Sequence, residues 1–378
     1  MVRIVNNFHE QSLNLRPEDY RRKLIELFHR YLDATGGQLN NEVLLVINGF
    51  LDFLQSGVTP ESANQARVRL YAATSGLSAE IVSEFISFLN PLKKQYDFAG
   101  ILKLEDNTNI ERVVEVIRTS GYYLFNEKLP DEWCQDLINF AERTPSHHDN
   151  MLGQKVGHSI LHTDSELLGV VKSAYSEQDI INNQTIQRII LDPSIISIAR
   201  RYLNTEPVLS GVDMWWSLKT NGIPSDDAAQ TFHWDLDTGF KWVKFFFYLT
   251  DVTKDSGPHT FVKGSHIWGT KPQELLNRGY ARIPDEDIYR FYPAEDVVSI
   301  CAPVGTIMVG DTRYYHKGKP LREGKRLLLQ PVFTNSLFSN ALDSQYTSPP
   351  RIPMEVKIDL PGDGSFDVSK LLKKYTLI

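Results

Sequence analysis

Cysteine is nearly absent from this chain: only Cys134 and Cys301 occur among 378 residues. One disulfide could join them, but nothing in the sequence demands it, and two distant thiols are the usual pattern of a reducing compartment. Long apolar runs are missing as well. No stretch approaches the ~18 apolar residues that mark a membrane helix, so no membrane span is expected. The opening residues, MVRIVNNFHEQ, lack the apolar segment of a secretory signal, which makes the cytoplasm the expected location. Positive charge is in deficit, with 40 Lys and Arg against 47 Asp and Glu. No basic stripe stands out, so no nucleic-acid partner is expected. The pairs Lys93-Lys94 and Lys373-Lys374 read as solvated faces. The remaining composition, 42% hydrophobic and 23% charged, is that of a globular protein long enough for two domains.

The first hundred residues read as helical. Pro17 can open a helix. Tyr20, Leu24, Leu27, Phe28, Tyr31 and Leu32 then recur at helical spacing until Gly36-Gly37 stops the run. A second apolar run, Val43 to Leu54, ends at Gly57. Thr59-Pro60-Glu61 predicts a helix start with Thr59 as cap, and Ile81 to Leu89 predicts a fourth helix before Pro91. Residues 1–105 are thus expected to form an all-helical region with no catalytic constellation. Its apolar faces need burial, for which packing onto the next domain suffices. A lid, a homo-oligomer interface or a carrier-protein contact would use the same faces.

The pattern changes after about residue 105. Ile110, Val113, Val114 and Ile117 form one more helix face, closed by Gly121. Tyr122 to Phe125 reads as a strand, and Pro130 opens a helix through Phe140. Strands dominate from about residue 207: Val208–Leu218, Trp242–Thr250, Val297–Ile300, Thr306–Val309 and Leu327–Phe333 are apolar or alternating. Turn residues separate them, as in Ser256-Gly257-Pro258 and Gly310-Asp311. This predicts a mainly β fold with helices, a jelly roll or double-stranded β-helix of cupin-like form, over residues 106–340. Residues 341–378, rich in Pro and Gly, are expected to form an extension that wraps the core or serves oligomer contacts.

One short segment carries chemistry. In the extended sequence TFHWD, residues two apart project to the same side, so His233 and Asp235 point together. An imidazole and a carboxylate so placed are two ligands of the 2-His-1-carboxylate triad of non-haem iron. His316 is suited to be the third, since it follows the strand Thr306–Val309 and the turn Gly310-Asp311. Two other His-x-Asp pairs, His147/Asp149 and His162/Asp164, precede no long apolar strand and read as loop histidines.

The run HWDLDTGFKWVKFFFYLTDVTKDSGPHTFVKGSH, from His233 to His266, resembles the signature of the phytanoyl-CoA dioxygenase family. His316 falls 83 residues after His233, and Arg326 a further 10 on, at the spacing of that family. The likeness spans about residues 108 to 335. It implies that Fe(II) is bound by His233, Asp235 and His316, and that 2-oxoglutarate and O₂ take the open coordination sites. It further implies that Arg326 grips the far carboxylate of 2-oxoglutarate with a bidentate fork. The implied reaction decarboxylates 2-oxoglutarate to succinate and CO₂ and oxidises a small organic substrate. Related halogenases lack the carboxylate ligand; Asp235 makes hydroxylation the expected outcome, while desaturation, ring formation and epimerisation use the same triad.

Lesser candidates follow from the same likeness and from strand alternation. Phe246 falls where the family packs an aromatic against the oxo acid. Trp215 and Trp216 precede the triad on one strand, and one of them faces inward to line the pocket. Ser217 and Lys219 share that strand as polar contacts. Gln230 and Asp237 are candidates to support a ligand. One of Tyr314 and Tyr315 packs beside the metal, and His259 and His266 fall in a turn segment with structural roles. Gly318 stands where some family members carry a serine that contacts 2-oxoglutarate. The polar stretch Ser146–Gln178 reads as an active-site cover, and residues 265–295 as a second pocket loop. Three other readings remain: an acyl-thioester oxygenase, a catalytically silent jelly-roll binding protein, and an unrelated metal-dependent cupin enzyme, which would not need Arg326.

Overall fold

The computed structural model describes residues 17–92, 99–161, 169–236, 239–279, 281–339, 352–360 and 367–378. Helices Pro17–Ala34, Asn40–Ser56, Glu61–Ala73 and Leu77–Leu89 follow the apolar periodicity of the sequence. The third begins one residue later than its turn signal suggests. Pro60 is the cap, and the Thr59 hydroxyl instead accepts a hydrogen bond from the Ser339 amide at 2.8 Å. The helices bury a common core of Leu27, Val46, Phe50, Ala66, Val82 and Phe85. Two phenylalanines of the following domain complete it: Phe240 and Phe338 stack at 5.1 Å and meet Phe50 edge-on at 5.8 and 5.6 Å.

The β domain starts after helix Asn107–Ser120, where Asp106 caps the first turn through the Asn109 amide and Gly121 closes the last at φ 90°. A Cβ on Gly121 would lie 2.8 Å from the Tyr314 ring, so both conformation and close approach require glycine here. The strands are β1 (Tyr122–Lys128), β2 (Ser146–Asn150), β3 (Lys155–Ser159), β4 (Val170–Ala174), β5 (Val208–Ser217), β6 (Trp242–Tyr248), β7 (His259–Val262), β8 (Val297–Ile300), β9 (Thr306–Gly310), β10 (His316–Gly318) and β11 (Arg326–Thr334). They build an eight-stranded sheet, ordered β1-β9-β6-β11-β5-β4-β2-β3, and a three-stranded sheet, ordered β10-β7-β8. Pairing in both sheets is antiparallel. This is the double-stranded β-helix that the spacing of short strands predicts.

Alternation divides the larger sheet into two faces. Val212, Met214, Trp216, Leu327 and Leu329 turn outward into a core backed by helices Asn107–Ser120, Asp131–Arg143, Gln184–Ile190 and Pro193–Leu203. Ile186, Ile189, Ile190, Ile195 and Ile198 of those helices are fully buried, each stabilising the fold by roughly 1.5–3 kcal/mol. Trp215, Ser217, Arg326 and Leu328 turn the other way, into the barrel. Within the polar stretch Ser146–Gln178, β4 pairs onto β5, β2 onto β4 and β3 onto β2, which widens the sheet; residues 162–168 lie outside the described residues. Farther on, Ile352–Met354 pairs in parallel with Tyr375–Leu377. Lys374 is not on a solvated face, since its ammonium bonds to Glu177 at 2.7 Å and to the Ser210 carbonyl at 2.8 Å; Lys93 and Lys94 lie outside the described residues. Cys134 and Cys301 are free thiols. No helix among the described residues is long and apolar enough to cross a membrane.

A buried ion cluster fastens the helical region to the barrel. Arg313 bonds Asp311 through Nε at 3.0 Å and Nη2 at 2.6 Å, and reaches Glu80 of the fourth helix through Nη1 at 2.8 Å. Glu80 also takes Lys241 at 3.2 Å, and Tyr202 donates to Asp311. Burial opposes ionisation of Glu80, but Arg313 and Lys241 outweigh it and bring its pKa down to about 2. A depressed carboxyl pKa stabilises the fold above its unfolded value, near 4.5, and that contribution disappears as pH falls toward 2. Glu80→Gln is therefore expected to cost about 2 kcal/mol at neutral pH and to flatten the loss of stability over that acid window. Urea unfolding at pH 7 and pH 3 measures both effects.

Candidate metal centre

His233 and His316 are joined through their backbones. The His233 amide donates to the His316 carbonyl at 2.9 Å, and the His316 amide donates to the His233 carbonyl at 2.7 Å. Residues paired by both bonds in an antiparallel bridge project their side chains side by side. The imidazoles accordingly lie 4.2 Å apart between ring centroids, tilted by 50°. The pairing is an isolated bridge rather than a long ladder. Asp235 extends it by donating its amide to the Thr312 carbonyl at 3.0 Å. Its carboxylate reaches to 4.0 Å from His233 Nε2 and 3.7 Å from His316 Nε2. One ligand atom from each of the three buried residues can be chosen so that all lie within 4.8 Å of one another.

The three groups are prepared for a cation. Each histidine lies with Nδ1 on the backbone carbonyl two residues before it, Thr231 at 2.9 Å and Tyr314 at 3.0 Å. A carbonyl only accepts, so Nδ1 carries the proton and Nε2 presents its lone pair. Burial lowers the pKa of both imidazoles and keeps them neutral. Burial would raise the pKa of Asp235, but the Lys244 ammonium, 2.7 Å from Oδ2, outweighs it and keeps the carboxyl ionised. Two neutral nitrogens and one carboxylate oxygen suit a divalent first-row metal.

Helices outside the barrel hold both ligand segments. Trp234, between His233 and Asp235, points away from the centre and stacks on Tyr71 at 5.0 Å. Arg67, one helical turn before Tyr71, donates to the carbonyls of Leu236 and Gly239. The 311–316 segment is held by the Asp311–Arg313–Glu80 cluster, and by Trp242, whose indole donates to Thr312 at 2.8 Å.

Arg326 shows a matching anion cradle. Its guanidinium is buried, and among the described residues only Nη2 has a partner, the Ser217 hydroxyl at 3.1 Å. Nε and Nη1 are buried without any. Such orphaned donors cost several kcal/mol and fit a carboxylate supplied by a bound molecule. The cradle also accounts for Gly318: a Cβ there would lie 3.3 Å from Nη2. Ser217, the direct cross-strand partner of Arg326, places its hydroxyl against the guanidinium.

Strand register settles most of the remaining candidates. Trp215 faces the barrel beside Leu328 and beneath the Lys172 ammonium, 5.3 Å from its ring, whereas Trp216 turns out to the Tyr175 hydroxyl. Phe246 faces inward against the His259 ring at 4.6 Å. Lys219 is exposed, and the Gln230 amide oxygen accepts from the Ser225 amide at 2.9 Å. Tyr314 is the tyrosine beside the centre, edge-on to His316 at 5.5 Å and bonded to His259 at 3.1 Å; Tyr315 packs elsewhere. His259 is not in a turn, because it begins β7 and lies behind His316 at 5.6 Å. His266 contacts the Arg118 carbonyl and stays structural. His147 stands on β2 rather than in a loop, stacked on His158 across the strand pair. Asp237, His162 and Asp164 lie outside the described residues. Sequence reading missed Lys244, although a lone lysine in WVKFFFY, two residues from Phe246, already pointed into the barrel.

The signature of the family described as phytanoyl-CoA dioxygenase matches residues 117–326. No curated protein matches the chain in sequence. Among solved structures, the chain is similar to the non-heme alpha-ketoglutarate-dependent epimerase SnoN of nogalamycin biosynthesis. The identity is 18% over 61% of this chain and 84% of the other, with a TM-score of 0.41. The carbocyclase SnoK of the same biosynthesis gives 15%, 66%, 92% and 0.45. HygX from Streptomyces hygroscopicus, with nickel and 2-oxoglutarate bound, gives 16%, 61%, 88% and 0.43.

Removing the one partner of Arg326 isolates the cradle. Ser217→Ala is expected to weaken 2-oxoglutarate binding by roughly five- to tenfold, the worth of one charge-assisted hydrogen bond. Metal affinity should be unchanged, and calorimetric titration of each separates the two.

Proposed function

Since the chain belongs to the phytanoyl-CoA dioxygenase family, a family of Fe(II)- and 2-oxoglutarate-dependent oxygenases, we propose that it hydroxylates a small organic molecule at a centre built from His233, Asp235 and His316. The observation that carries this reading is a buried triad of two imidazoles and one carboxylate on the same barrel as a guanidinium with unfilled donors. Bound iron, with 2-oxoglutarate and O₂, supplies oxidative decarboxylation to succinate and CO₂ coupled to oxidation of a substrate C–H bond.

The protein's own part is placement and exclusion of water. The Thr231 and Tyr314 carbonyls fix the two imidazoles in the tautomer that exposes Nε2. Lys244 holds one oxygen of Asp235 and leaves the other free. Arg326 and Ser217 take the distal carboxylate of 2-oxoglutarate, which orients its oxo-acid end toward the triad. Phe246, Tyr248, Leu328 and Met308 form an apolar wall that keeps bulk water from the oxo acid. Asp235 occupies the position that a halide would need, which favours hydroxylation over halogen transfer.

Anaerobic addition of Fe(II) and 2-oxoglutarate to the apoprotein should produce a visible charge-transfer band. Asp235→Ala should remove it, and His316→Ala should abolish succinate release. Arg326→Ala should instead retain metal binding and raise the 2-oxoglutarate Kd by at least about a hundredfold, the cost of leaving a carboxylate without its cation. An unchanged 2-oxoglutarate affinity in the arginine variant would show that another residue is the anchor.

A further inference from the structure

We infer that the primary substrate is a polar molecule that presents hydrogen-bond donors, an amine or hydroxyls, to Asp213 and Gln330 on the barrel wall beside the triad. This rests on the oxygenase reading above and specifies the class of molecule it acts on.

Asp213 and Gln330 are direct cross-strand partners on β5 and β11. Both fall on the inward face, in step with Trp215, Ser217, Arg326 and Leu328. Gln330 is 9% exposed, and its amide makes no hydrogen bond among the described residues. Asp213 is exposed to solvent, and no protein group among the described residues takes its carboxylate in a hydrogen bond or ion pair. Neither group is sealed from solvent, so a molecule that enters the barrel and displaces water from them must replace those hydrogen bonds, at roughly 1–3 kcal/mol for each one lost. Two such groups side by side in a barrel wall are satisfied together by one bound molecule.

Their place along the strands assigns that molecule to the substrate rather than the co-substrate. Val332, the next inward residue after Gln330, pairs with Lys244, which holds Asp235. Gln330 is thus about 7 Å along the strand from the row that supports the triad, and about 13 Å from the row of Arg326. A dicarboxylate anchored on Arg326 occupies the opposite end. The lysines near Asp213 have other engagements: Lys244 is bonded to Asp235, and Lys172 lies over the Trp215 ring. A donor-bearing group supplies what both side chains lack. A saturated acyl chain would leave both unsatisfied, which speaks against the acyl-thioester reading.

The test uses the anaerobic Fe(II)–2-oxoglutarate complex of the full chain, whose charge-transfer band responds when a molecule binds next to the metal. Glucosamine, glucose, ethanolamine and octanoyl-CoA are titrated separately. At least one of the first three should shift the band, and octanoyl-CoA should not; glucose against ethanolamine tells hydroxyl from amine. Asp213→Asn and Gln330→Leu should each weaken the response about tenfold, the value of one hydrogen bond to a charged or buried partner. A band moved by octanoyl-CoA alone, by no probe, or equally in wild type and both variants overturns the inference. Absence of the band in the wild-type protein contradicts the metal assignment instead, so the two failures are distinguishable.

Discussion

Two backbone hydrogen bonds between His233 and His316 make the centre. They set residues 83 positions apart in the chain into one antiparallel pair, and side chains of such a pair share a face. Asp235 joins that face because it lies two residues from His233 on extended backbone. The carbonyls that orient the two Nδ1 atoms belong to the same segments, each two residues before its histidine. Position, tautomer and neutrality of the imidazoles therefore come from one local arrangement, and Lys244 adds the charge that keeps Asp235 ionised.

An isolated bridge is a weak element by itself, since it lacks the cooperative ladder of a long strand pair. Here the N-terminal helices make up the deficit. Tyr71 and Arg67 back the His233–Asp235 segment, and Glu80 secures the 311–316 segment through Arg313. The helical region thus contacts the back of both ligand segments. This gives it a definite physical role in holding the centre, over and above covering its own apolar faces with Phe240 and Phe338.

Much of this was legible in the sequence, and the rest was hidden for identifiable reasons. The helices of the first hundred residues and the strands Val208–Ser217, Trp242–Tyr248 and Arg326–Thr334 were readable because period and burial coincide there. The His-x-Asp segment and Arg326 were readable from residue type and spacing. The additions β2 and β3 were not, because they are short and polar without apolar alternation, and β4 was not, because its five residues carry only one Val-Val pair. The supports of the centre were hidden for another reason: Glu80 and Arg313 are 233 residues apart, and no local pattern links them. Lys244, Asp213 and Gln330 had a weaker signal, each a polar residue in a largely apolar strand, which gains meaning only once register shows that all three face the barrel interior.

The central claim is that His233, Asp235 and His316 converge on one cation with room for a chelating oxo acid held by Arg326. A crystal structure of the protein grown anaerobically with Mn(II) and 2-oxoglutarate tests it most directly. The account predicts an anomalous-scattering peak bonded to Nε2 of both histidines and to one Asp235 oxygen, with the distal carboxylate of 2-oxoglutarate on the Arg326 guanidinium. A manganese peak elsewhere, a coordination sphere closed by protein atoms alone, or an oxo acid anchored away from Arg326 would contradict it.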